Sequence, residues 1–332
     1  MSSTSEVRRE SRLSCVVSEA NGEDPAGSGT PFTGYLLAEV TPPWKRDIVE
    51  STRFLEALRE AVERVRNAGI IDKFTGLLPD PEYSREEHIR VIYFRRPPNL
   101  FAAYEKEEYV VPEDEAVSLV EALSGPDRSS RFARYKEDLP HVRDMLVCTH
   151  GSRDVCCGKF GYPIYEELRR GYATGSARGL RVWRTSHLGG HRFAPNLMDL
   201  PEGRYWGRLK SEVLENLVLR DETVSALRRF YRGWAGLRSK FEQIAEREAF
   251  VREGWEWTGY LKAGEVLEED EDHAEVRIEY QSSDGDVSGA YEATVEAAGS
   301  VMTLSNSGTE PLQEARQYRV SRLEKVPFQN KP

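Results

Sequence analysis

Cysteine is scarce in this 332-residue chain, with four residues, too few for the disulfide framework that staples small secreted domains. Long apolar runs are missing too. No stretch approaches the ~18 consecutive apolar residues of a membrane-spanning helix. The first thirty residues, Met1 to Thr30, lack the apolar core of a secretory signal. Positive charge is in deficit: 46 Lys and Arg stand against 56 Asp and Glu, a formal net charge of −10, which disfavours a nucleic-acid-binding surface. These absences predict a cytoplasmic protein that works neither in a membrane nor on nucleic acid. An acidic surface would meet a partner carrying a basic patch.

Hydrophobic residues make up 39% and charged residues 31%, the composition of a soluble protein large enough to divide into two or three units. Residues 1–30 read as a flexible lead. From 31 to 127 the pattern predicts a strand at Tyr35–Val40, a helix over Thr52–Asn67 carrying Phe54, Leu55, Leu58, Val62 and Val65, a second strand at Ile89–Phe94, a hairpin of Phe101–Tyr104 with Tyr109–Val111, and a helix over Ala116–Leu123. From 140 to 222 the order recurs: a strand at Met145–Cys148, a helix from Ile164 after Pro163, a strand at Leu180–Thr185, short strands at Asn196–Leu200 and Tyr205–Leu209, and a helix over Glu212–Val218. Two β-α-β-β-β-α passes suggest a duplicated unit with a thioredoxin-like layout, an α/β (α+β) fold. Residues 223–250 read as a helical connector within one long helix from 222, and 251–332 as a small antiparallel β unit with strands at Trp255–Leu261, Ala274–Tyr280, Ala290–Val295, Val301–Leu304 and Gln317–Leu323.

The chemistry is concentrated. Three of the four cysteines fall within Cys148–Cys157, and His187 and His191 follow in the run HLGGH. Thiolates and imidazoles gathered this way are the ligand set of a zinc ion or an iron–sulfur cluster. Cys148 ends an apolar strand, Cys157 closes a polar loop, and the histidines follow another strand. Loops at the carboxyl ends of adjacent strands are where open α/β sheets place their sites. The first half offers Arg95-Arg-Pro-Pro-Asn99 after its second strand, so it serves as a packing or docking partner. Zinc sites with two cysteines usually space them two to four residues apart, whereas eight residues intervene here.

The stretches CTHGSRDVCCGKFG and VWRTSHLGGHRFAPNLMDLPEGRYWGRL resemble the sucrase/ferredoxin-like family, a branch of the thioredoxin-like ferredoxins, over about Asp144 to Leu209. The resemblance implies a [2Fe–2S] cluster held by Cys148, Cys157, His187 and His191; on the residues alone, Cys156 could replace Cys157 as the second thiolate. The resemblance also implies a one-electron carrier serving a redox partner protein, a reductase or an acceptor, and not an enzyme. Replacing two thiolates by imidazoles raises the potential from ~−400 mV towards ~−150 to +300 mV. An imidazole N–H that loses its proton in the oxidised state makes that potential fall as pH rises.

Other readings attach to the same residues. A zinc-stabilised interaction protein needs only the four ligands. A thiol-dependent reductase or peroxidase would use Cys156 with Cys157, although no C-x-x-C is present. Cys15 reads as a small buried hydrophobe. Arg153 and Arg192, with Lys159, flank the ligands and could offset cluster charge or meet a donor, and Asp154 could brace the loop. Tyr205 and Trp206 read as packing behind the site, His150 as pointing elsewhere, and the acidic run Glu265–Asp272 as a solvated hairpin loop.

Overall fold

The computed structural model describes residues 12–51, 56–125, 128–139, 141–174, 179–308 and 311–328. Helix α1 (Ser14–Ala20) leads to strand β1 (Gly34–Glu39), helix α2 (Glu56–Asn67), strands β2 (Lys73–Leu77), β3 (His88–Arg95) and β4 (Glu105–Pro112), and helix α3 (Ala116–Ala122). After the two-residue strand β5 (Lys136–Glu137) come β6 (Arg143–Cys148), α4 (Val155–Leu168), β7 (Leu180–Thr185), β8 (Leu197–Leu200), β9 (Arg204–Trp206) and α5 (Ser211–Leu219). Strand β10 (Tyr231–Trp234), helix α6 (Lys240–Glu253) and strands β11 (Leu261–Glu269), β12 (His273–Gln281), β13 (Ser288–Thr303) and β14 (Gln313–Val326) complete the chain.

Ten strands form one mixed sheet in the order β10-β9-β8-β6-β7-β2-β1-β3-β4-β5, and β11 to β14 form a separate antiparallel sheet. The fold is therefore mixed α/β, as expected. Within the large sheet one pattern occurs twice. β1 pairs parallel with β2 and antiparallel with β3, which pairs antiparallel with β4. β6, β7, β8 and β9 repeat those relations. β1 is buried at every position, as a strand covered on both faces must be. On α2 the residues Leu58, Ala61, Val62 and Val65 are buried at helical spacing. The expected start of this helix at Thr52, with Phe54 and Leu55, lies outside the described residues.

The halves meet where β2 and β7 pair antiparallel at Leu77 and Thr185. A buried ion network crosses this seam. Arg181 holds Glu108 through two hydrogen bonds of 2.7 and 2.8 Å and Asp144 at 2.8 Å, while Lys106 reaches Asp144 at 2.6 Å. Glu108 and Lys106 come from β4, Asp144 and Arg181 from β6 and β7. Burial alone would raise the Asp144 carboxyl, but Arg181 and Lys106 bring it down to about 2.

Several expectations are corrected. The long helix from 222 is broken into a 3-10 turn (Val224–Phe230), β10 and α6. Gly233 and Gly236 sit at the break, and β10 extends the large sheet beyond β9. β2 was not foreseen, because its short run KFTGL has no clear period. It, rather than the strand at Ile89–Phe94, is the counterpart of β7. The counterpart of the HLGGH loop is then the turn from Leu78, not Arg95–Asn99, and Phe101 instead bridges to Lys262. Helix α4 begins at Val155, nine residues before the expected Ile164, and carries Pro163 within it. Cys157 therefore sits in a helix's first turn rather than at the end of a loop. The described part of the expected flexible lead is anchored, for Cys15 on α1 is joined by a disulfide to Cys156. Ala290–Val295 and Val301–Leu304 largely merge into the single bulged strand β13. Trp255–Thr258 is 3-10 helix rather than strand. No helix among the described residues is long and apolar enough to cross a membrane.

Candidate metal centre

Two local features bring the cysteines together. Cys148 ends β6, its N–H donating to the Asn196 carbonyl at 3.0 Å. Helix α4 then folds back against this strand end. Its Gly161 lies so close to the Cys148 carbonyl that any Cβ there would collide with that oxygen. Asp154 caps α4 by accepting from the Cys156 N–H at 2.9 Å, which fixes the first turn and with it Cys157. The expected bracing role of Asp154 thus takes the form of a helix cap.

Cys148, Cys157 and His187 converge, their ligand atoms all within 4.8 Å of one another. Each thiol sulfur lies 3.9 Å from His187 Nδ1. Both cysteines are buried, and the thiols influence each other. Burial opposes ionisation of Cys148, yet hydrogen bonds with Cys157 and His187 hold its thiol well below the usual range. The hydrogen bond with Cys148, and then burial, push the Cys157 thiol well up.

His191 stands just outside this group, its ring centroid 5.3 Å from that of His187. Its Nε2–H donates to the Ser305 carbonyl at 2.6 Å, while its Nδ1 is buried without a hydrogen-bond partner. Burial lowers its pKa against the pull of that carbonyl, which favours the neutral imidazole. A neutral ring anchored through one nitrogen, with a lone pair on the other, is the form of a metal-ligating histidine. The donor set therefore fits a metal group: three donors converge and a fourth is orphaned beside them.

The glycines of HLGGH have a specific cause. Gly190 has φ +67°, and a Cβ on it would collide with the Arg232 guanidinium. Arg232 donates to the Gly189 carbonyl at 3.0 Å and to Asn196 Oδ1 at 2.8 Å, and Asn196 in turn donates to the Gly190 carbonyl at 2.9 Å. A single buried hub therefore ties the histidine loop to the backbone that fixes Cys148.

Cys156 is not an alternate ligand. Its sulfur is taken up in a disulfide with Cys15, which also removes the basis for a Cys156–Cys157 thiol pair and for Cys15 as a plain buried hydrophobe. Arg192 is held by Glu23 at 2.7 Å and stacks on Phe193, and the Arg153 Nε is buried without a partner. His150 is buried and donates to the Lys45 carbonyl at 2.8 Å, away from the ligands. The C-terminal unit reaches the site through the loop after β13. Besides Ser305, Ser307 donates to Asp154 from its N–H at 2.9 Å and its hydroxyl at 2.7 Å. Sequence reasoning missed this loop, Arg232, and Lys73 of β2, which donates to the Leu188 carbonyl of the histidine loop at 3.0 Å. Each lies far from the motif along the chain, and only the glycine pair hinted that something must approach its backbone.

These features define a chain that presents two thiols and two imidazoles at the carboxyl ends of the central strands β6 and β7. The sequence matches the Sucrase/ferredoxin-like family over residues 25–233, and the chain belongs to that family. Among curated proteins it is similar to "Altered inheritance of mitochondria protein 32" of Debaryomyces hansenii, 28% identical over 142 residues, 38% of this chain and 50% of that protein. The protein of the same name from Meyerozyma guilliermondii is 26% identical over 172 residues, 47% of this chain and 60% of its own length. The chain thus spans about half the length of the curated relatives it matches. Among solved structures, a cysteine-to-serine variant of the thioredoxin-like [2Fe-2S] ferredoxin from Aquifex aeolicus aligns at 16% identity and a TM-score of 0.23, covering 26% of this chain and 95% of that one.

Proposed function

We propose that this protein is a one-electron carrier whose [2Fe–2S] cluster is held by Cys148, Cys157, His187 and His191. The observation that carries the reading is the convergence of Cys148, Cys157 and His187 beside the buried, unpartnered Nδ1 of His191. When bound, such a cluster supplies a reversible one-electron couple. The chain's own residues position it. Asp154 and Gly161 set the thiol pair, Asn196 and Arg232 set the histidine loop, and the Ser305 carbonyl fixes the His191 tautomer. An N–H on His191 that donates to a carbonyl is a group whose loss of a proton would link potential to pH. The redox partner of a chain with net charge −10 would present a basic face.

The test is anaerobic purification followed by visible absorption with iron, sulfide and zinc analysis. Two irons and two labile sulfides per chain, bleached by dithionite, are the expected result. A colourless protein with one zinc per chain would replace the carrier by a zinc-stabilised interaction protein.

A further inference from the structure

Two cations lie against the histidine loop, and among the described residues no carboxylate pairs with either. Lys73, at the start of β2 in the first half, donates to the Leu188 carbonyl at 3.0 Å and to the Tyr205 hydroxyl at 2.7 Å. Its ammonium stands 5.2 Å from the Tyr35 ring centroid and 4.8 Å from that of Tyr205. Arg232, on β10 and 1% exposed, donates to the carbonyls of Gly189 and Ser28, the Ser28 hydroxyl and Asn196 Oδ1. Its guanidinium lies 5.5 Å from the centroid of the same Tyr205 ring. All these acceptors are neutral. Elsewhere in the interior, Arg143, Arg181, Arg204 and Arg247 each face a carboxylate. A buried cation without an anion is costly unless the anion comes from another source. Here the source at hand is the ligand pair. Burial lowers Lys73 to about 7 and Arg232 to about 10, and the Cys148 sulfur opposes the fall in both.

We propose that Lys73 and Arg232 are the counter-charges of the metal centre, placed to favour its electron-loaded form and so to raise its midpoint potential. This rests on the electron-carrier reading above. The sign follows from the charge balance. Two thiolates and two neutral imidazoles cancel the 2+ charge of a diferric core, so one added electron, delivered by the redox partner, takes the site from neutral to −1. Fixed positive charge in a poorly solvated setting stabilises that state more than the neutral one. The first half thereby contributes a charge to a centre whose ligands all come from the second.

The test compares Lys73→Met and Lys73→Arg in the full chain, with Lys262→Met as control. Lys262 is also a buried lysine held by backbone carbonyls, those of Trp257 and Tyr260, but its charged neighbours are Arg204, Glu246 and Glu202. Potentiometric titration should show a lower midpoint for Lys73→Met at full iron content, a return towards the wild-type value for Lys73→Arg, and no change for Lys262→Met. An unchanged midpoint in Lys73→Met overturns the proposal. A wild-type chain that binds no iron counts against the carrier reading instead. In that case, or if Lys73→Met alone fails to load, the ultraviolet thiolate absorbance of the iron-free chains decides. Lys73→Met should move the onset of thiolate absorbance to higher pH, and coincident titration curves overturn the counter-charge role.

Discussion

The two halves of the large sheet share one strand order and differ in what leaves its ends. In the second half, the last residue of β6, the segment after it and the loop after β7 carry Cys148, Cys157, His187 and His191. In the first half the segment after β1 carries Thr41-Pro-Pro-Trp44, and the turn after β2 is held by Asp80, which accepts from the Glu82 N–H at 2.9 Å and pairs with Arg169. The frame is the same, so the frame does not confer the chemistry; the loops do. The first half is nevertheless more than a spacer. It closes the seam through Glu108 and Lys106, supports the neighbourhood of His150 through the Lys45 carbonyl, and places Lys73 against the histidine loop.

The strongest way to break this comparison is to remove a ligand from one half and a matching residue from the other. Cys148→Ser or His187→Ala should abolish iron binding, while Asp80→Ala, in the equivalent turn of the first half, should leave the iron content unchanged by elemental analysis. His187→Cys sharpens the contrast further. It should keep a cluster and lower its potential by an amount on the order of hundreds of mV, as a third thiolate does for iron. A potential equal to the wild type would show that His187 is not a ligand.

The seam itself can be broken. Arg181→Met leaves Glu108 and Asp144 buried without their main partner and should cost about 3–5 kcal/mol in urea unfolding. Acid should act on the same network. The Asp144 pKa is depressed to about 2, so its contribution is complete above the ordinary carboxylate value and is lost as pH falls towards 2. Acid unfolding that starts at higher pH in Arg181→Met would locate this loss at the seam. A smaller effect is expected at the N-terminal anchor. Cys15→Ser removes a bond spanning 141 residues and should cost about 2–4 kcal/mol while leaving the iron in place. Retention of iron in Cys156→Ser as well would show that Cys156 plays no part in binding. The smallest change is Asp154→Ala, which removes the cap of α4 and should cost about 1–2 kcal/mol by thermal unfolding.

Much of the frame was legible because it is local. β1, β6 and β7 are short buried runs rich in branched and aromatic residues, and α2 shows its buried stripe in its spacing. What misled were the segments whose conformation depends on distant partners. KFTGL becomes β2 because both of its edges are paired, and residues 222–250 break because Gly233 lies against the side chain of Gln243 from α6. CCGKFGYP reads as a loop before a proline, yet Asp154 caps it and the helix passes through Pro163. Cys15 and Cys156 lie too far apart in sequence for any local pattern to pair them.

By itself the sequence determined which donors could act: Cys148 with one of the adjacent Cys156 and Cys157, and two imidazoles around a glycine pair, on an α/β frame. Tertiary structure alone decided which cysteine turns inward and which is tied off, which nitrogen of His191 is left free, and which cations stand behind the loop. The reason is physical. Donor chemistry belongs to the residue type, whereas direction, burial and the field around a group are set by whatever the fold packs against it.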